Sequence, residues 1–249
     1  MLLNQFTHPI IFGHRGACAH APENTIASFR LAVEQGADFI ELDAKLSKDH
    51  QVMVIHDPTV DRTTNGKGKV NELSLAELQV LDAGSHFNSK FAGEKIPTLD
   101  EVFKSVGRNI FVNVELTNYS SNNDDLIPLV ADVVKANRME ERVLFSSFLP
   151  KNLKKIHELI PQAPTAILCL SGLSGLLSRS FLMTGVSPKV IHPYLSDTTA
   201  GMVGREHKRG RRVHVWTVNE ESDMVNLLKI GVDGIFTDDP QKAKKVFQA

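Results

Sequence analysis

The chain has 249 residues, the length of one barrel of alternating strands and helices, and enough to bury a sizeable core. Its 28 Lys and Arg stand against 29 Asp and Glu for a formal charge of −1, so no basic excess supports a nucleic-acid footprint or an anionic membrane surface, and any phosphate recognition must be local. Cys18 and Cys169 are too few for a disulfide framework and read as small buried or half-buried hydrophobes; with no basic stretch and apolar run across Met1 to Pro9, the expected location is cytoplasmic.

Short apolar runs rich in Val, Ile and Phe, without strict alternation, are separated by stretches with helical spacing, which is the pattern of parallel strands covered by helices. Ile10 to Gly13 is the first strand. A helix follows over Asn24 to Gln35, with Asn24 capping its first turn, Ile26, Phe29, Arg30 and Val33 setting its spacing and Gly36 ending it. The runs Phe39 to Ala44 and Val52 to His56 are separated so narrowly at Asp49 and His50 that no crossover helix fits; the second is a continuation or an extra strand beside the first. Asp57 to Pro97 clusters Gly, Asn, Thr and charged residues around one short helical pattern at Leu75 to Leu81. In a barrel, an excursion this long after a strand's carboxyl end lands on the catalytic face and walls the site.

Helices over Leu99 to Val106, Leu126 to Asn137 and Lys151 to Leu159 then alternate with strands at Ile110 to Leu116, Val143 to Phe148 and Ala166 to Leu170. Thr165 to Val186 is apolar, but Ser, Gly and Arg179 interrupt it well short of the ~18 to 20 apolar residues a membrane span needs, so it reads as a buried strand followed by a mobile loop or short helix. Strands at Val190 to Tyr194, Val213 to Val218 and Gly234 to Thr237, with helices over Asn219 to Lys229 and after Pro240, complete the chain. Nine runs suit an α/β fold of the (β/α)8 TIM-barrel type with one irregular strand. The expectation is a single domain over residues 1–249, with a small subdomain inserted at about 57–97 on the catalytic face.

His14, Glu41, Asp43, His56, Glu115, His192, Trp216 and Asp238 all fall at or near the carboxyl ends of predicted strands, where barrel active sites are built. Glu41 and Asp43, two apart on one strand, point to the same face, and two like charges there repel unless neutralised. Arg or Lys could do that; so could a divalent cation with oxygen ligands, for which Glu115 on the third barrel strand completes the set. All-oxygen ligation suits Mg²⁺ or Ca²⁺, and no HxH or HExxH spacing suggests zinc. His14 and His56 each end a strand, and a pair of imidazoles can accept one proton and donate another, as cleavage of a phosphodiester requires. Arg15 offers either a fork for phosphate oxygens or a salt bridge to Glu23. Trp216, the only Trp, and Phe148 could stack on substrate or pack in the core. His192 and Tyr194 read as rim residues, and Asp238 as a cap for the last helix.

The motifs GHRG (13–16), PENT (22–25), ELD (41–43), HD (56–57), DRTTNGKG, AGSHFNSKFAGEKIPTLDEV, NVEL (113–116), WTVN (216–219) and VDGIFTDDP occur in an order and spacing that resemble the glycerophosphodiester phosphodiesterases, within the wider group of phosphatidylinositol-specific phospholipase C-like phosphodiesterases, across nearly the whole chain. The resemblance implies a barrel with a small insertion and divalent-metal hydrolysis of small-molecule glycerophosphodiesters to sn-glycerol 3-phosphate and an alcohol. It assigns Glu41, Asp43 and Glu115 to the metal, His14 and His56 to acid–base catalysis, and Arg15 to phosphate. It also suggests first attack by the substrate's own glycerol hydroxyl to give a cyclic phosphate, with direct attack by water as the alternative. Trp216 is the expected stacking residue for the glycerol or head group. One departure stands out: Thr117 occupies the position where the family usually carries Lys, and Lys45, inward from Asp43 by alternation, is the candidate to replace it. A second reading is lysophospholipase D-like activity on acylated substrates, for which Ser171 to Met183 could form an apolar surface. A third is a non-catalytic metal- or phosphate-binding module.

Overall fold

The strands run continuously apolar because the sheet they form is covered on both faces. The computed structural model describes residues 2–121 and 123–248. Strand β1 (Ile10–Gly13) leads to β2 (Phe39–Leu46), and β3 (Val52–Val54) turns back beside it. Then come β4 (Phe111–Leu116), β5 (Val143–Ser147), β6 (Thr165–Cys169), β7 (Val190–Pro193), β8 (Arg212–Val215) and β9 (Gly234–Thr237). Each of β1, β2 and β4 to β9 pairs in parallel with its neighbours, and β1 pairs with both β2 and β9, so these eight strands close into a TIM barrel. The ninth, β3, pairs antiparallel with the end of β2, which is the irregularity expected from the short gap at Asp49 and His50.

Helices α1 (Ile26–Glu34), α2 (Leu75–Gln79), α3 (Leu99–Val106), α4 (Leu126–Ala136), α5 (Pro150–Leu159), α6 (Ala200–Lys208), α7 (Glu221–Lys229) and α8 (Pro240–Gln248) complete the fold. Phe29, Leu99, Val102, Val130 and Ile156 on the helices pack against Ile40, Leu42, Val112 and Phe145 on the strands. Helix α3 begins in a capping box, Thr98 accepting from Glu101 N while the Glu101 carboxylate accepts from Thr98 N, an arrangement that contributes about 1 kcal/mol.

Two helix expectations change. Helix α1 starts at Ile26 and is capped by Thr25, whose hydroxyl accepts from Ser28 N; Asn24 lies outside it in the left-handed region at φ 56° because its amide is drawn to Asp43 instead. Helix α6 escaped the periodicity because Gly201 and Gly204 thin its apolar face to Met202 and Val203.

The barrel interior is aromatic. Phe12 stacks on Phe236 at 4.3 Å and meets Phe39 at 4.7 Å, with Phe111 beyond. His192 is a correction to the sequence reading: it is fully buried within the barrel, 3.3 Å from Nδ1 of His214, and not on the rim. Alternation along β7 turns it inward one level below the mouth, and the exposed position is Tyr194. Burial holds His192 down to about 3 and His214 well below the usual histidine range, so both rings are neutral in the fold. Neutrality costs nothing above the unfolded value near 6.5; as pH falls from there towards 3 His192 withdraws on the order of 1.4 kcal/mol per pH unit, and His214 acts in the same direction. Denaturant unfolding from pH 7 to 5 should therefore show a loss of stability in the wild type that is much smaller in a His192→Leu/His214→Leu variant. Equal slopes would contradict the neutral pair.

Residues 57–97 gather a small core of their own, Val60, Val70, Leu78, Ala83 and Ile96 packing against Met53 and Ile55. Among the described residues no helix is long and apolar enough to cross a membrane.

Candidate active site

Parallel register places Asp43 on β2 directly opposite Glu115 on β4, and Glu41 stands two residues earlier on the same face. Ligand oxygens of all three lie within 4.8 Å of one another. Glu41 and Asp43 are buried and Glu115 half-buried. Each has one hydrogen-bonding anchor: Arg15 N donates to Glu41 Oε2 at 2.9 Å, Asn24 Nδ2 to Asp43 Oδ2 at 2.9 Å, and Tyr119 Oη to Glu115 Oε1 at 2.8 Å. Burial, then the charge of Asp43, pushes Glu115 up to about 8, and burial with the charges of Asp43 and Glu115 raises Glu41 well above its usual range. Three acids this close, with the Arg15 guanidinium 3.5 Å from Asp43, leave an excess of negative charge that a hard divalent cation with oxygen ligands would neutralise. The donor set fits such an ion, and these residues are the ones that could hold it.

The histidines arrive by different routes. His14 follows β1, its backbone N–H donating to Thr237 O. His56 follows the antiparallel β3, which runs back towards the carboxylates: Ile55 N donates to Asp43 O at 2.9 Å, setting His56 one residue beyond that rung. Both rings have Nδ1 against a carboxylate, His14 on Asp238 Oδ1 at 2.6 Å and His56 on Asp57 Oδ1 at 2.7 Å. A carboxylate at Nδ1 fixes the tautomer and leaves Nε2 as the nitrogen that exchanges protons.

Asp238 does not cap the last helix; Asp239 does, accepting from Lys242 N. Burial alone would raise Asp238, but its contacts to His14, Cys18 and Asn219 hold it down to about 2, so it is ionised beside the imidazole. Cys18 is a donor in this group: burial pushes its thiol up, and it donates to Asp238 as S–H.

A further network joins the two histidine loops. Arg62 donates to both oxygens of Glu23 and both of Asp57, and Glu23 also accepts from Arg15 Nη1 at 2.8 Å. Arg62 is foremost in holding the Asp57 carboxyl far below its usual range. Arg15 therefore makes the Glu23 salt bridge while its side chain stays beside Asp43. Its loop needs a close backbone approach: Gly16 sits at φ 89°, and a Cβ there would come within 2.7 Å of the Ser28 carbonyl carbon.

Lys45 is half-buried, its ammonium donating to Thr117 O and Thr117 Oγ1 at 2.9 Å each. A cation therefore stands at the very strand end where Thr117 lacks one. Beyond it lies a cavity of about 330 Å³ lined by Thr59, Lys69, Asn71, Thr117 and Asp124. On the other side runs an aromatic wall: Tyr119 meets Phe148 at 5.6 Å, Phe148 meets Trp216 at 5.7 Å, and Trp216 meets Tyr194 at 5.0 Å. Trp216 is half-buried and its Nε1 donates to His192 O.

The sequence pointed to no part in the site for Asn24, read as a helix cap, or for Asp57, Arg62 and Tyr119. Asn24, Asp57 and Arg62 lie within the motifs PENT, HD and DRTTNGKG, which was the available signal; Tyr119, four residues beyond Glu115, carried none.

Residues 14–242 match the glycerophosphoryl diester phosphodiesterase family. The chain belongs to that family. It is 41% identical over 237 residues to a glycerophosphodiester phosphodiesterase of Caldanaerobacter subterraneus subsp. tengcongensis, covering 93% of this chain and 95% of that one. Among solved structures it is similar to a phosphodiesterase of Oleispira antarctica in complex with the product sn-glycerol-3-phosphate, at TM-score 0.91 and 30% identity over 99% of both chains. It is also similar to a glycerophosphodiester phosphodiesterase of Agrobacterium tumefaciens, at TM-score 0.82 and 30% identity over 95% of this chain and 99% of that one. As a member of the family the chain is a phosphoric diester hydrolase with glycerophosphodiester phosphodiesterase function.

Proposed function

We propose that this family member hydrolyses small glycerophosphodiesters to an alcohol and sn-glycerol 3-phosphate with a divalent ion, Mg²⁺ or Ca²⁺, held by Glu41, Asp43 and Glu115, and with His14 and His56 as the acid–base pair. The observation that carries the reading is the junction of a buried carboxylate cluster with two histidines, each oriented by its own carboxylate and tied to the others through Arg15, Glu23 and Arg62. The ion supplies charge compensation and polarisation of the phosphate when bound. Arg15 and Lys45 bind phosphate oxygens as fixed cations, and Trp216 and Phe148 lie against the glycerol carbons.

One histidine takes the proton of the attacking hydroxyl while the other gives its proton to the departing alkoxide, so a new P–O bond forms as the bond to the alcohol breaks. With the free glycerol hydroxyl as first nucleophile the product of this step is a cyclic phosphate. Water then opens the ring with the histidine roles exchanged. The free thiols of Cys18 and Cys169 suit a cytoplasmic site of action.

The test is release of sn-glycerol 3-phosphate from glycerophosphocholine and glycerophosphoethanolamine with Mg²⁺ or Ca²⁺ present. Stoichiometric glycerol 3-phosphate and alcohol are expected. Release of a phosphorylated alcohol and free glycerol would contradict the bond assignment, and absence of product from any diester would defeat the reading.

A further inference from the structure

His14 and Cys18 are separated by three residues on the loop after β1, a spacing at which one short loop delivers two ligands to one ion. The loop is tied to the end of β9 on both sides of the Asp238 side chain: His14 N donates to Thr237 O at 2.9 Å and Ala19 N to Asp238 O at 2.9 Å. Imidazole, thiol and carboxylate are thereby held together, His14 Nδ1 at 2.6 Å and Cys18 Sγ at 3.1 Å from the same oxygen, Asp238 Oδ1. Ligand atoms of the three lie within 4.8 Å of one another, and all three residues are half-buried, within reach of an ion from solvent. A tetrahedral ion with bonds of about 2.0 to 2.3 Å sets its ligands roughly 3.3 to 3.6 Å apart. The two hydrogen-bonded contacts therefore need to open by less than about 1 Å to admit it.

Hydrogen bonding alone does not call for a thiol here. A hydroxyl in the place of Sγ would donate to Asp238 equally well, whereas sulfur adds affinity for borderline and soft metal ions. Burial and the charge of Asp238 keep the thiol protonated, because a thiolate would stand beside an ionised carboxylate. A divalent ion between the two removes that repulsion. The cluster shares no residue with Glu41, Asp43 and Glu115, whose all-oxygen set suits hard ions instead.

We propose that His14, Cys18 and Asp238 form a metal site separate from the carboxylate cluster, selective for a borderline divalent ion such as Zn²⁺, and that its occupancy switches the phosphodiesterase off. The switch rests on the acid–base role of His14 proposed above. Cys18 gives up its thiol proton to solvent, the His14 proton moves from Nδ1 to Nε2, and thiolate, Nδ1 and carboxylate hold the ion, with water in the fourth position. Cluster and ion together then carry no net charge. With Nδ1 bound and Nε2 protonated, His14 has no nitrogen left to accept a proton as base and cannot form the imidazolium that gives one as acid. The contact with Asp238 that orients the ring is lost as well.

The experiment compares the full chain, saturated with Mg²⁺, with a Cys18→Ser variant that keeps a donor to Asp238 and whose fold is checked by circular dichroism. Cd²⁺, a spectroscopic stand-in for Zn²⁺, is titrated while the ultraviolet charge-transfer band of a cadmium–thiolate bond is followed, and Zn²⁺ is then added in competition. Glycerol 3-phosphate release is measured against Zn²⁺ in parallel, each protein relative to its own zinc-free rate. In the wild type, stoichiometric Cd²⁺ is expected to raise the band, Zn²⁺ to remove it, and Zn²⁺ to stop turnover. The variant is expected to lack the band and to need at least about tenfold more Zn²⁺ for half inhibition, since even the outer partners of a metal site are worth that much. Absence of the band in the wild type, its persistence in Cys18→Ser, or equal zinc sensitivity of the two proteins overturns the proposal. A band with undiminished turnover overturns the switch; if His14→Ala also turns over near-normally, the acid–base assignment is what failed. A wild type inactive on every diester without zinc defeats the underlying function instead, and the band alone then decides the metal site.

Discussion

His14→Ala and His56→Ala are each expected to lower turnover of glycerophosphocholine by about 10² to 10⁴-fold, the range over which a positioned acid or base acts. The two rings have separate partners, Asp238 and Asp57, so neither can take over the other's proton transfer without leaving its own carboxylate. The loss should fall mainly on kcat, because neither imidazole belongs to the carboxylate cluster or to the cations Arg15 and Lys45 proposed to bind the phosphate. Neither ring is deeply buried, with side-chain exposures of 21% for His14 and 42% for His56, so the variants should fold, and their circular dichroism and melting should stay close to the wild type. Near-normal kcat in either folded variant would remove that histidine from the reaction.

The second large effect concerns the carboxylates, and its sign separates function from stability. Glu115→Gln is expected to weaken metal binding and to reduce turnover by at least about 10³-fold, since several kcal/mol of charge stabilisation depends on the ion. In chelator the same variant is expected to be at least as stable as the wild type at neutral pH. Glu115 is raised from 4.5 to about 8 by burial and by Asp43, so in the metal-free protein its contribution is fully present below 4.5 and is lost as pH rises through 8. Removing its charge should flatten that loss. Thermal unfolding of both proteins in chelator between pH 5 and 8.5 makes the comparison; a variant that melts far below the wild type throughout would show the carboxylate to be structural.

Much of this site was legible in the sequence because barrel geometry converts position along a strand into position in space. Glu41 and Asp43 could be placed on one face by alternation alone, and the parallel register of β2 and β4 then brought Glu115 opposite Asp43. His56 was placed at the end of an extra strand beside β2, and the structure adds that this strand runs antiparallel to it.

What remained illegible were choices made by side chains across the fold. Asn24 looks like a helix cap in sequence, but the pull of Asp43, nineteen residues away, leaves Thr25 to cap the helix. Asp238 sits one residue before the true cap, and only the return of β9 beside β1 shows that it serves His14. His192 could not be told from a rim residue until the ends of β7 were fixed, and one step along a strand separates the mouth from the aromatic interior. Lys45 shows the same limit in reverse: alternation turned it inward, and the pairing of β2 with β4 carries it to Thr117.

The cluster Glu41, Asp43 and Glu115 is proposed to work through a bound divalent ion. The most direct measurement is glycerol 3-phosphate release by enzyme stripped with chelator, followed by stepwise return of Mg²⁺ or Ca²⁺. Turnover is expected to disappear on stripping and to return with the ion, while Glu115→Gln needs far more ion or does not recover. Full turnover in excess chelator would contradict it.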